Sequence, residues 1–129
     1  MAARVLVVDD TSSIRFLLKG VLPVHGFEVV AEATTAAEGI ELAGREQPDF
    51  VILDMQMPRT SGLDAIEPIK AKAPNTKIVM YSSHDSDRVR DDALARGADA
   101  YLDKLAPMSE LAAAMERLRK SDDGTASLG

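Results

Sequence analysis

Three carboxylates, two hydroxyls and one lysine stand where short apolar runs of this chain come to an end. Asp9 and Asp10 follow Arg4-Val5-Leu6-Val7-Val8, Asp54 follows Val51-Ile52-Leu53, Ser82 and Ser83 follow Lys77 to Tyr81, and Lys104 lies just past Ala98 to Leu102. Apolar runs of this length bounded by turn signals read as buried strands. In open α/β sheets the carboxyl ends of the strands are where ligands bind. Three carboxylates gathered at one such edge repel and do not all stay ionised unaided. A divalent cation resolves this, and carboxylate oxygen with no His or Cys nearby points to Mg²⁺ or Mn²⁺. A lysine and a hydroxyl beside the metal make the set suitable for a phosphoryl group of charge about −1.5 to −2. That charge would be spread over Mg²⁺ and Lys104, with Ser82 donating a hydrogen bond. Carboxylates do accept phosphoryl groups, and such transfer is mostly positioning and charge stabilisation. Asp54 is the expected nucleophile.

Taken singly, each residue has a plainer use. Asp54 could cap the turn that follows it, an acidic pair after a strand more often caps a helix or sits in a solvated loop, Ser-Ser is usually a turn, and a lone lysine is usually on the surface. Joint occurrence at four strand ends, in this order, is what carries the claim.

The intervening segments must position these groups. Thr11-Ser12-Ser13 can cap a helix whose apolar residues Ile14, Leu17, Leu18, Val21 and Leu22 make the stripe of a helix lying on a core, ended by Pro23 and Gly26. Phe27 to Ala33 reads as a second strand. Thr35 and Glu38 have the capping-box spacing, opening a helix to about Glu46. Asp49 to Leu53 is a third strand. Ser61-Gly62 starts a third helix with Leu63, Ile66 and Ile69 inward, which Pro68 should kink or shorten. Lys77 to Tyr81 is a fourth strand, a polar helix runs from roughly Asp85 to Arg96 and ends at Gly97, and Ala98 to Leu102 is a fifth strand. The last helix, about Ser109 to Lys120, carries Leu111, Ala114, Met115 and Leu118 on one side. Residues 121–129 are polar and aperiodic, a flexible tail or truncated linker beyond a single domain over 1–120. Strand and helix alternate five times, which predicts an α/β fold: a doubly wound five-stranded parallel sheet with five helices on its two faces.

Composition narrows the function. At 129 residues the chain buries a full core without staples. It has no cysteine, which excludes disulfides and thiolate metal sites and favours a reducing cytoplasm. No apolar stretch approaches the ~18 residues of a spanning helix, and no signal peptide is visible, so no membrane partner is expected. The net charge of −6 argues against direct nucleic-acid binding by this chain.

Asp9-Asp10, Asp54 with Met57-Pro58 and Gly62, Ser82-Ser83, Gly97-Ala98-Asp99-Ala100-Tyr101 and Lys104 together resemble the receiver domain of two-component response regulators, the chemotaxis regulator being the single-domain type. The resemblance covers residues 4 to about 120. It implies a flavodoxin-like strand order 2-1-3-4-5 and a phosphoryl group taken by Asp54 from the phosphohistidine of a sensor histidine kinase or a histidine phosphotransfer protein. It implies Mg²⁺ held by Asp10, Asp54 and the backbone carbonyl of Gln56, with Asp9 acting through water and Lys104 pairing with phosphoryl oxygens. Ser82 matches the switch hydroxyl and Tyr101 the switch aromatic, an ordinary half-buried strand position as well. Phosphorylation would then repack the face of the fourth helix, fifth strand and fifth helix, which a downstream protein or output domain would read. Gln56 and His84 flank the path of water to the phosphoryl group and are expected to tune its lifetime; a solvated residue at a helix start is the plainer account of His84.

The commonest pattern is not followed everywhere. Leu105, not proline, follows the lysine, and a cis bond there would cost roughly 2.5–4 kcal/mol, so a trans peptide and a differently shaped loop are expected. Lys104-Leu105-Ala106-Pro107 with Glu110-Leu111 looks more like receivers attached to helix-turn-helix DNA-binding domains. Ser83 replaces the usual alanine. The fourth and fifth helices offer either a homodimer face with cross-subunit ion pairs or, as the default, a solvated surface. Two other functions compete. A Mg²⁺-dependent phosphohydrolase would need an acid two residues past the nucleophile, where Gln56 stands and cannot transfer a proton. A non-phosphorylated docking module of the same fold would be favoured by loss of an acid or of the lysine, and all are present. No enzymatic turnover is expected beyond self-phosphorylation from phosphodonors and autodephosphorylation.

Overall fold

The computed structural model describes residues 2–57, 59–83 and 87–128, with side chains as far as residue 121. The elements follow in the order β1 (Ala3–Val8), α1 (Ser12–Val21), a 3₁₀ turn (Leu22–His25), β2 (Phe27–Ala33), α2 (Ala36–Glu46), β3 (Phe50–Leu53), α3 (Gly62–Lys72), β4 (Lys77–Ser82), α4 (Asp87–Ala95), β5 (Ala100–Asp103) and α5 (Met108–Leu128). The five strands form one parallel sheet in the order β2-β1-β3-β4-β5, the flavodoxin-like arrangement expected. That order makes β1, β3, β4 and β5 neighbours, so the ends bearing the acids, the hydroxyls and the lysine share one edge.

The central strands β1, β3 and β4 are buried on both faces, which is why they are apolar without alternation, while the edge strands β2 and β5 are only half-buried. Leu6, Val8, Val51, Leu53, Ile78 and Met80 pack with Ala36 and Ala43 of α2, Ala65, Ile66 and Ile69 of α3, and Ala93 of α4. Val5, Val7, Phe50, Ile52, Val79 and Tyr81 face the other way, against Leu18 of α1, Leu22, and Leu111 and Met115 of α5. No helix among the described residues is long and apolar enough to cross a membrane.

The structure corrects several local expectations. Leu17 is half exposed and Phe16 largely so, because α1 covers the sheet with the narrower set of Leu18 and the partly buried Ile14 and Val21. The helix also stops one residue early, since Leu22 enters the 3₁₀ turn that Gly26 ends at φ +86°. The capping box on α2 is real but offset: the Glu38 N–H donates to Thr35 Oγ1 at 3.2 Å, while the Glu38 carboxylate accepts from the N–H of Thr34, not of Thr35. Pro68 does not interrupt α3, which continues to Lys72. A proline there forfeits one bond to the Asp64 carbonyl, and the buried Ala65, Ile66 and Ile69 hold the helix on both sides of it. β5 starts two residues later than predicted. Ala98 is spent on the end of α4, its N–H donating to the Ala93 carbonyl, and the Asp99 carboxylate accepts from Ile78 N–H at 2.8 Å and Lys70 Nζ at 3.0 Å. The backbone of α5 runs past Lys120 to Leu128, as extension of an existing helix adds one bond per residue fixed.

Candidate functional site

Asp9 and Asp54 are the two residues directly beyond β1 and β3, and the ladder carries on just far enough to fix them. The Asp9 N–H donates to the Ala33 carbonyl at 3.0 Å and the Asp54 N–H to the Val8 carbonyl at 2.9 Å. Both residues are almost fully enclosed, at 1% and 5% exposure, whereas Asp10 is exposed. The carboxylates of Asp9, Asp10 and Asp54 offer oxygens that all lie within 4.8 Å of one another. Lys104, launched from the end of β5, reaches across the edge: its ammonium meets Asp9 Oδ2 at 2.8 Å and Asp54 Oδ1 at 3.3 Å. Four of the residues read from the sequence therefore meet in space.

Asp10, Thr11, Asp54, Gln56, Met57, Ser83 and Lys104 line one open cavity of about 320 Å³. The Gln56 N–H donates to Asp54 Oδ1 at 3.3 Å, and Gln56 pairs across an antiparallel bridge with Ser61. Ser83 is exposed in the cavity wall. Ser82 is buried at the last position of β4, opposite Asp103, and its carbonyl accepts the Lys104 N–H at 2.9 Å. Tyr101, opposite Met80 on β5, is half-buried against the α3 and α4 side of the core. His84 and Pro58 lie outside the described residues.

Three contributions to the site are not read from the sequence, although it names Thr11 as a cap and Met57 as part of a motif. The Thr11 side chain makes no cap; instead its N–H donates to Asp9 Oδ1 at 2.9 Å. Arg15 donates to the Asp9 carbonyl at 2.8 Å and to Glu32 at 3.1 Å, tying α1 to the loop that carries the acids. Met57 supplies apolar wall. A cation one turn into the helix that follows an acidic pair is a weak signal for the second of these; backbone donors and wall residues leave none.

Burial, and after it the Asp9 charge, pushes the Asp54 carboxyl up from its ordinary 3.8 to about 6; Lys104 and the Gln56 N–H pull the other way. For Lys104, burial works against its charge, yet the bonds and charges of Asp9 and Asp54 outweigh burial and hold it above the ordinary lysine value. One ammonium does not satisfy three clustered carboxylates. This surplus negative charge, on oxygen donors alone, fits a hard divalent cation such as Mg²⁺.

A pH dependence of stability follows. The folded-state value for Asp54 exceeds the unfolded one, so the protonated group's contribution is fully present below about pH 4 and is lost as pH rises through about 6. The difference amounts to on the order of 3 kcal/mol at most. Without metal, Asp54→Asn is expected to unfold at higher urea than the wild type at pH 7, with the gap closing by pH 4. Adding Mg²⁺ at pH 7 should stabilise the wild type, by about 2.7 kcal/mol at a hundred times the dissociation constant. Parallel urea curves at both pH values would contradict this.

Residues 5–116 match the family model described as the response regulator receiver domain. The chain is 34% identical to the chemotaxis protein CheY of Thermotoga maritima over 120 residues, 93% of this chain and 100% of that one. Among solved structures it resembles a LuxR-family two-component response regulator from Aurantimonas sp., with TM-score 0.86 and 28% identity over 92% of this chain and 85% of that one. It also resembles a response regulator protein from Burkholderia pseudomallei, solved with a phosphorylated aspartic acid and a calcium ion, with TM-score 0.82 and 28% identity over 98% of this chain and 74% of that one.

Proposed function

This chain belongs to the response regulator receiver-domain family and so to phosphorelay signalling, and from that premise we propose that Asp54 is its phosphoacceptor, charged by the phosphohistidine of a sensor histidine kinase or a histidine phosphotransfer protein. The observation that supports this best is the reach of Lys104 to both Asp9 and Asp54 at the floor of a cavity open to solvent. An Asp54 carboxylate oxygen attacks phosphorus; a P–O bond forms as the P–N bond to the donor imidazole breaks, and the imidazole leaves with the bonding electron pair and is reprotonated. Lys104 is placed to follow charge onto the phosphoryl oxygens, its ammonium already beside the nucleophile. Asp10, Asp54 and the Gln56 carbonyl, with Asp9 at one remove through water, would hold Mg²⁺, which supplies further charge neutralisation when bound. The chain acts on no other substrate: it takes up the group and loses it by hydrolysis. Residues 1–120 form the receiver, α5 continues beyond them to Leu128, and the setting is cytoplasmic.

The signal leaves through α4, β5 and α5. Ser82 closes β4 opposite Asp103, and Tyr101 lies two residues before Asp103 on β5, against the α4 side of the core. A hydroxyl drawn toward a phosphoryl group on Asp54 would open room into which the Tyr101 ring moves, and a downstream protein or output domain reads the repacked face. Backbone amide NMR tests this. Acetyl phosphate with Mg²⁺ should shift amides throughout α4, β5 and α5 in the wild type, none of them in Asp54→Asn, and only those near the cavity in Ser82→Ala. Shifts confined to the cavity in the wild type would contradict the switch.

A further inference from the structure

We propose that Asp103 is a positioning residue for Lys104: its carboxylate closes the turn that aims the lysine at Asp9 and Asp54. The inference rests on the phosphoacceptor reading above. Lys104 is the first residue beyond β5, yet its ammonium must meet carboxylates carried by the ends of β1 and β3. A lysine side chain loses about 2 kcal/mol of rotamer freedom when fixed, so its reach depends on where the backbone launches it.

Three hydrogen bonds fix that launch point. The Lys104 N–H donates to the Ser82 carbonyl at 2.9 Å, the last rung of the β4–β5 ladder. The Leu105 N–H donates to Asp103 Oδ1 at 2.8 Å, and the Ala106 N–H donates to the Asp103 carbonyl at 3.0 Å. Two of the three end on Asp103, which supplies both the side-chain and the backbone acceptor of the turn from 103 to 106. Aspartate favours this place at the start of a turn for that reason. Residue 105 has an N–H to give because it is not proline. Leu105 is 86% exposed, so its burial does not hold the loop. The polar bonds do.

An aspartate that merely ends a strand would make the same bonds, so the test must read the lysine. Initial rates of phosphoryl uptake from acetyl phosphate with Mg²⁺ are measured by intact mass for the wild type, Asp103→Ala, Asp103→Asn, Lys104→Ala and the Asp103→Ala/Lys104→Ala pair, with urea curves to establish that each is folded. Asp103→Ala is expected to slow uptake about tenfold, well inside what a misplacement of the order of 1 Å can cost. Asp103→Asn keeps an acceptor for the Leu105 N–H and should stay within about twofold of the wild type. On a Lys104→Ala background Asp103→Ala should add less than about twofold, because residues acting through one another are not additive. Wild-type rates in Asp103→Ala, or Asp103→Asn as slow as Asp103→Ala, would overturn the proposal. So would a tenfold loss that persists without the lysine. A wild-type chain that takes up no phosphoryl group overturns the phosphoacceptor reading itself, a result distinct from the others.

Discussion

Replacing Lys104 with alanine should slow phosphoryl uptake from a small phosphodonor by about 10²–10³, the loss seen when one preorganised charge-stabilising donor is removed. The ammonium lies 2.8 Å from Asp9 and 3.3 Å from Asp54, beside the carboxylate proposed as the phosphoacceptor. The same substitution leaves Asp9, at 1% exposure, and Asp54, at 5%, without their cation. Breaking a buried ion pair by removing one partner costs about 3–5 kcal/mol, and the loss should grow as pH rises through about 6, since Asp54 then ionises with less to hold its charge. Initial rates and urea midpoints at pH 5 and pH 8 measure both effects. Lys104→Arg should recover stability more than rate, because a planar guanidinium does not occupy the place of a compact ammonium. A Lys104→Ala chain as fast as the wild type would remove the lysine from the mechanism.

Gly62→Ala is expected to be among the most destabilising single-methyl changes in the molecule. A Cβ at this position would overlap the Asp54 carbonyl oxygen outright and come within 3.0 Å of the Asp54 carbonyl carbon and the Met55 Cα. These are backbone atoms and cannot swing aside. The Gly62 N–H also donates to the Met55 carbonyl at 2.7 Å, which draws the start of α3 onto the loop that follows Asp54. Overpacking ordinarily costs about 1–3 kcal/mol, occasionally more; overlap with fixed backbone should place this change above about 4 kcal/mol, a magnitude reserved for identifiable steric or network failures. Urea denaturation in the presence of Mg²⁺ reads it. A cost under about 1 kcal/mol would mean the loop has room to move away from α3.

These two residues also show what the sequence makes legible. The strand ends are readable because a buried parallel strand is an uninterrupted apolar run, so the first polar residue after it marks the sheet edge; Asp9 and Asp54 are found that way, and Lys104 as the cation one residue further on, past Asp103. β2 from Phe27 to Ala33 and α2 from Ala36 to Glu46 match the reading at both ends, since Gly26 and the Thr35–Glu38 cap leave little choice. β5 was misplaced because Ala98 and Asp99 look like strand but are used up in ending α4 and bonding Ile78 and Lys70. Leu17 was misjudged because an apolar stripe does not say how much of its width the sheet covers. The sequence marks Thr11 as a helix cap and Met57 as part of a motif, but not what they do at the site, and it does not mark the turn at Asp103, because these act through backbone groups, wall surface or a local hydrogen bond open to any loop aspartate.

Intact mass decides whether Asp54 takes a phosphoryl group with the help of a divalent cation, as proposed. The protein is incubated with acetyl phosphate and Mg²⁺ beside Asp54→Asn and beside a wild-type sample with excess chelator. One added phosphoryl group in the wild type, absent from both controls, is the predicted result. No gain in the wild type, or an equal gain in Asp54→Asn, would contradict it.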